Sequence, residues 1–262
     1  MAEIKRRTTL QIWGDVIFAL FIRELRSKFN DKFGITWALV EPLSFILLLS
    51  YGRTLITGGD EVHTMPAFSF MMYGMLLVQL FLNVLAASAA AIKRNKPLYA
   101  FRQVQPISAV ISATLQEALI KLFVYAAIIL FMFFVVIEIR MDNALVLGLV
   151  IFLLVLFTAS LGLLFGLAEL YVEEVQKVRQ IITRPIFFIS GVFFSLQDMP
   201  QEYWPYLNWN PVLHAIELSR QAAYQSFGAK GVDLSFLVFS TLIMLFLALS
   251  CYRVFWKGAI SR

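Results

Sequence analysis

Two runs of this chain, residues 67–92 and 144–167, contain no charged side chain, and nearly charge-free runs lie at 35–56, 107–137, 181–196 and 234–256. In a bilayer, backbone N–H and C=O groups must be satisfied within the protein, so such runs are expected to be membrane helices. Composition agrees: 60% of residues are hydrophobic, 15% are charged, and the mean hydropathy is +0.78. A soluble domain carries about a quarter charged residues. The 262 residues hold about six helices of ~20 residues and short loops, with no room for a separate soluble enzyme domain. The expected fold is therefore an all-α integral membrane domain over 1–262. It has six transmembrane helices, an interfacial amphipathic helix at 10–34, and external re-entrant half-helices at 191–227 between spans five and six.

Orientation follows from the segment 93–106, where Lys93, Arg94, Lys96 and Arg102 lie between two apolar runs and no Asp or Glu occurs between Glu61 and Glu117. Positive loops stay in the cytoplasm. With this loop inside, 16 of the 22 Lys and Arg fall on cytoplasmic segments, against Arg140, Arg220 and Lys230 outside, and both termini are cytoplasmic. Asn95 and Pro97 are helix-start residues, Leu98, Phe101 and Val104 recur at helical spacing, and Pro106 reads as a stop, so the loop is expected to hold a short amphipathic helix. Its charges alone would equally serve only to set topology.

Upstream, Trp13, Ile17, Phe21, Leu25, Phe29 and Phe33 recur every fourth residue, with Arg23, Glu24, Arg26 and Lys28 on the other faces; such a segment lies along a membrane surface. Lys5, Arg6 and Arg7 are followed by an apolar patch too short for a cleaved signal peptide. Glu117 and Lys121 are spaced for a local ion pair, and Gly148, Gly162 and Gly166 for close helix contacts. Residues 198–211 contain Pro200, Pro205, Pro211, Tyr203, Trp204, Tyr206 and Trp209, a composition suited to the membrane boundary and incompatible with a plain span.

Reactive constellations are sparse. The sequence has no G-x-x-x-x-G-K loop followed by Ser or Thr, no H-E-x-x-H and no G-x-S-x-G elbow. His63 and His214 are its two histidines and Cys251 its single cysteine, so no disulfide or cysteine metal cluster is expected, and no metal site. His214 with Glu217 reads as a helical structural pair before it reads as an acid–base pair.

Two motifs resemble a known family. RELRSKFNDKFGITWALVEP at 23–42 is similar to the N-terminal signature of ABC-2 type exporter permeases, above all the branch exporting capsular polysaccharide and O-antigen in Gram-negative bacteria. NWNPVLHAIELSR at 208–220 is similar to the family's N-P-x-x-x-x-x-E-x-x-R segment, and the basic loop sits where the family places its coupling helix. The resemblance implies an inner-membrane permease without its own ATPase site. It would work as a homodimer with two ATP-binding cassette subunits that bind ATP and Mg, and with periplasmic or outer-membrane export partners; no nucleic acid is implied. Lys93, Arg94, Asn95, Lys96, Pro97, Leu98, Phe101 and Arg102 would couple to the ATPase. Trp13, Phe21, Arg23, Glu24, Arg26 and Lys28 would form the docking helix. Trp204, Trp209, Pro211, His214, Glu217 and Arg220 would form the external gate.

Tyr51, Tyr73, Phe187 and Phe194 are candidates to line the path, since aromatic faces suit a sliding glycan, though each would serve equally as a packing or lipid-facing ring. Arg53, Lys121 and Arg184 lie within or near spans, where a cation tends to face a cavity or a partner, or snorkels to the interface. The expected cargo is a lipid-linked capsular polysaccharide. O-antigen, teichoic acid, lipid or drug export is the alternative, with an intramembrane enzyme or a scaffold more remote.

Overall fold

The computed structural model describes residues 8–29, 34–57, 59, 61–101 and 103–260. Helix α1 (Thr9–Phe29) leads to α2 (Gly34–Thr57), a two-stranded hairpin of β1 (Glu61–Val62) and β2 (Met65–Pro66), and α3 (Ala67–Arg94). After a 3-10 turn (Lys96–Ala100) come α4 (Pro106–Val135), α5 (Ala144–Tyr171) and α6 (Val175–Ile189). Two further 3-10 turns precede α7 (Pro211–Ala223), and a third (Gln225–Phe227) leads towards α8 (Leu234–Ile260).

Five helices among the described residues are long and apolar enough to cross a membrane, within α2, α3, α4, α5 and α8. The apolar run at 181–196 does not give a sixth of that length. Helix α6 has 15 residues, contains Pro185, and ends where Gly191 takes φ +75°. Its course is nonetheless clear. Lys93, at the end of α3 that enters the basic turn, pairs with Glu173 just before α6, and Arg220 ties Gly191, just after α6, to Phe70 at the other end of α3.

The core is built around α3, which packs on α2, α4, α5 and α7. It can do so because apolar and small residues fill nearly every face of the helix, from Phe70 to Ile92. Its approach to α5 is set by glycines: a Cβ on Gly166 would lie 2.7 Å from the Ala89 carbonyl oxygen, and one on Gly162 would overlap the Ser88 side chain. Gly148, expected to share this role, faces open space. Two buried hydroxyls are satisfied inside their own helices, Ser88 on the Val84 carbonyl and Thr158 on that of Leu154, each at 2.6 Å.

Several local expectations are corrected. Pro106 is the first residue of α4 rather than a stop, because an N1 position needs no N–H. The basic loop folds as one 3-10 turn, not an amphipathic α-helix. Glu117 and Lys121 do not pair: Glu117 accepts from Lys28 of α1, and Lys121 donates to Gln79 of α3 at 2.8 Å. The segment 191–227 holds one α-helix, α7, and three 3-10 turns instead of two half-helices, since Pro200 and Pro205 remove the donors a longer helix would use.

The α3–α5 contact gives a direct test. Gly166→Val should destabilise the purified protein by about 1–3 kcal/mol through overpacking against backbone, while Gly148→Val should leave unfolding by heat in detergent unchanged.

Candidate functional site

At the end of the bundle opposite the basic loop, Arg220 of α7 has no solvent exposure. Its guanidinium donates to the carbonyls of Phe70 (3.1 Å), Gly191 (2.8 Å) and Val192 (3.1 Å) and to Glu217 Oε1 (2.8 Å). It also lies over the Phe70 ring, 3.5 Å from the centroid. Glu217, equally buried, takes a second bond from Ser195 Oγ at 2.8 Å. The i,i+3 spacing on α7 brings the two charges together, and Gly74 lets the 191–194 backbone approach α3, since a Cβ there would sit 2.7 Å from the guanidinium. Five donors in a fixed fork make Arg the side chain that can hold two backbone segments and a carboxylate at one point.

The network continues outward. Asp198 caps Ser195, accepting from its N–H at 2.9 Å, and meets His63 Nε2 at 2.6 Å and Arg53 at 3.7 Å. Arg53 also donates to the Phe193 carbonyl at 2.6 Å, so its cation serves the outer segment. His63 and Thr64 form the hairpin turn with φ of +48° and +65°, a conformation usual for Gly or Asn. Both are held from outside the turn, His63 by Asp198 and Thr64 by Ser226 Oγ at 2.8 Å.

His214 is a structural tie. Its Nε2 lies 2.9 Å from the Asn208 carbonyl, and its Nδ1 accepts from the Asp233 N–H at 3.0 Å. With both nitrogens engaged by backbone and Phe236 against the ring, 4.4 Å between centroids, it joins the start of α7 to the start of α8. Asn210 caps α7 through Val212 N–H, with Pro211 as the first helical residue, and binds Ser190 at the end of α6. Trp204 donates to the Met199 carbonyl and packs on Gly231, while Trp209, Tyr203 and Tyr206 are exposed.

At the basic end, Glu24 of α1 is buried against the sequence expectation that it lies on a polar face. It pairs with Arg94 at 2.8 Å and accepts from Asn95 Nδ2 at 3.3 Å, while Arg23 donates to Asn95 Oδ1. Trp13 donates to Ser108 of α4 at 2.7 Å, and Leu20 packs on Ala91, Ala109 and Ala113. Phe21 is half-buried and Arg26 exposed. The turn itself presents Lys93, Lys96, Pro97 and Phe101 to solvent, with Leu98 half-buried; Arg102 lies outside the described residues. Burial holds the Tyr99 phenol above its usual pKa, and it donates to the Ile92 carbonyl. On the surface, the Lys93 hydrogen bond holds the Glu173 carboxyl below its usual range. A buried pair, Arg179 with Glu169 at 2.8 Å, ties α6 to α5.

Of the path candidates, Lys121 and Phe187 line one cleft of about 1030 Å³ bounded by α2, α3 and α4, with the end of α1 and Phe187 of α6 at its edge. Tyr73 is buried, its hydroxyl 3.1 Å from that of Tyr125, and Phe194 is partly buried. Tyr51 and Arg184 are exposed on α2 and α6. The residues that sequence reasoning missed are Phe70, Gly74, Ser195 and Asp198. Ser195 and Asp198 carry a capping pattern; Phe70 contributes a backbone oxygen, which no side-chain pattern announces.

The chain is an α-helical bundle of membrane-length helices, with α1 clamped to a basic turn and an N-P-x-x-x-x-x-E-x-x-R helix locked at the opposite end. The sequence profile of the family described as "ABC-2 type transporter" matches residues 15–224, and the chain belongs to that family. It is 34% identical over 251 residues to the polysialic acid transport protein KpsM of Escherichia coli, covering 94% of this chain and 96% of that protein. It is also 25% identical over 258 residues to the capsule polysaccharide export inner-membrane protein BexB of Haemophilus influenzae (96% and 95% covered). With CtrC of Neisseria meningitidis, likewise named for capsule polysaccharide export, identity is 24% over 267 residues (98% of each).

Removing one member of the buried pair leaves the other charge stranded, at a cost of about 3–5 kcal/mol. Arg220→Met should therefore destabilise the protein strongly. Glu217→Gln/Arg220→Met should be more stable than Arg220→Met alone, measured as unfolding by heat or denaturant in detergent.

Proposed function

We propose that this chain is the transmembrane subunit of an ABC exporter that moves a lipid-linked capsular polysaccharide across the bacterial inner membrane, driven by ATP hydrolysed on a separate subunit. The observation that carries the reading is similarity along nearly the whole chain to a polysialic acid transport protein and to two capsule polysaccharide export inner-membrane proteins, in the family of ABC-2 type transporters. The lack of a phosphate-cradling loop agrees, since hydrolysis then needs another chain that supplies the ATP and Mg site.

In this reading the chain works as a homodimer with two ATP-binding subunits beneath it, and further export partners take the polymer onward. Both termini and the basic turn are cytoplasmic, in keeping with the positive-inside bias. Helix α6 makes a sixth crossing, supported by its course from Glu173 beside Lys93 to Gly191 beside Phe70. Its polar lower half and Pro185 suit a segment covered by protein better than one facing lipid. The segment 191–227 dips into the outer leaflet as the external gate, with Trp209, Tyr203 and Tyr206 at the boundary.

The ATPase docks at Lys96, Pro97 and Phe101, where an apolar ring is 65% exposed beside a cation that makes no ion pair among the described residues. The Glu24 clamp makes the turn and α1 move together, so a push on one is felt by the other. Two experiments follow. The isolated chain should show no ATPase activity, and hydrolysis should appear only with its partner. Arg94→Glu should abolish export while leaving insertion intact, and adding Glu24→Arg should restore it. Lys96→Glu, which breaks no internal pair, should not be rescued by any change at Glu24. Normal export by both single variants would leave the turn as a topology determinant alone.

A further inference from the structure

The polar contacts at the Arg220 end of the bundle differ in what it takes to break them. Arg220 and Glu217 have no side-chain exposure, so parting them would strand two charges away from water. His63 and Asp198 keep 34% and 33% of their side-chain surface in solvent, and if they part, Asp198 still has Arg53 at 3.7 Å and the Ser195 N–H. Exposed pairs of this kind contribute little and separate readily. A movement of this end therefore starts at Asp198 and leaves the Arg220 contacts made.

The hairpin turn meets the outer segment on both sides of α7. His63 reaches Asp198 in the 3-10 turn Leu196–Asp198, before α7, and the Thr64 hydroxyl lies 2.8 Å from that of Ser226 in the turn Gln225–Phe227, after it. Those two turns are themselves joined, since Gln197 Nε2 donates to the Phe227 carbonyl at 3.2 Å, and the Phe227 ring meets His63 edge-on with 5.8 Å between centroids. The hairpin is a firm seat, because Val62 and Met65 on either side of its turn are buried in the core. Its two turn residues, however, do not suit its backbone. Both have positive φ, which Gly accepts freely and a β-branched Thr does not. A turn that had only to reverse the chain would carry Asn-Gly or Gly-Gly. His63 and Thr64 bring what Gly lacks, side chains that reach the outer segment, and a strained turn persists where its surroundings hold it.

We propose that His63 and Thr64 form a catch that holds the turns Leu196–Asp198 and Gln225–Phe227 down on the hairpin, and that the outer end opens by releasing this catch while Arg220 and Glu217 stay paired. The proposal rests on reading 191–227 as the external gate, and holds whatever polymer is exported.

The test uses the chain assembled with its ATP-hydrolysing partner, in a Cys251→Ser background. His63→Gly/Thr64→Gly removes both tethers and leaves a turn that suits the backbone, so the hairpin should still form. In nanodiscs without ATP, Leu196→Cys, at a fully buried position, should react with a polar thiol reagent about tenfold faster in this variant than with the catch intact, the scale of one lost hydrogen bond. Ser219→Cys, equally buried on α7 beside Arg220, should stay protected in both. An unchanged rate at Leu196→Cys would overturn the proposal, and so would equal exposure of Ser219→Cys, which would show general loosening of the outer end. In the opposite direction, Thr64→Cys/Ser226→Cys should form a disulfide on oxidation and stop export, and a reductant should restore it. Failure of the pair to cross-link, or undiminished export while it is cross-linked, would also overturn the proposal. The reactivity measurements need no cargo, and export by the Cys251→Ser parent tests the proposed function by itself, so the two readings fail separately.

Discussion

Arg220 carries a charge with no route to water, so each donor of its guanidinium must be met by an oxygen that the fold brings to it. Those oxygens come from the start of α3, the chain leaving α6, and Glu217 on its own helix. Three segments distant in sequence are thereby fixed at one point, and Gly74 and Gly191 exist in the forms they do because that point leaves no room for a Cβ or for ordinary φ. Around it the outer end is assembled in layers: Ser195 on Glu217, Asp198 on Ser195, and His63 and Arg53 on Asp198.

The basic end is built on a second buried charge. Glu24 draws Arg94 and Asn95 onto the surface helix, so α1 and the basic turn form one unit rather than two appendages. Helix α3 connects the two ends, with Phe70 in the Arg220 knot and Arg94 in the Glu24 clamp, and its tight approach to α5 makes it a stiff connector. In the proposed exporter, α3 would be the physical route by which a change at the basic turn reaches the opposite end, since it is held by charge at both ends.

Much of this was legible in the sequence, because membrane helices announce themselves by length and lack of charge. The runs at 67–92 and 144–167 became α3 and α5 with ends within a few residues of those expected. The motif containing Asn210, Pro211, His214, Glu217 and Arg220 marked the helix that matters at the outer end. What the sequence concealed were long-range partners. Glu117 and Lys121 have the spacing of a pair, yet Lys28 and Gln79 offered each a contact across helices that the local geometry did not suggest. Glu24 sits among surface charges in sequence and is buried because Arg94 and Asn95 meet it there. Arg53, read as a candidate for the path, holds the Phe193 carbonyl and Asp198, partners that its position in the sequence did not announce. His214, the residue most suggestive of chemistry, is occupied by backbone on both nitrogens.

The most direct measurement is reconstitution of this chain into sealed vesicles, with and without its ATP-binding partner, following the movement of a lipid-linked capsular polysaccharide across the bilayer. The account predicts transport only when both chains and ATP are present, with a glycosylated lipid as cargo. Transport without the partner, or a complete complex that hydrolyses ATP in the presence of the glycan but leaves it on the side where it started, would contradict it.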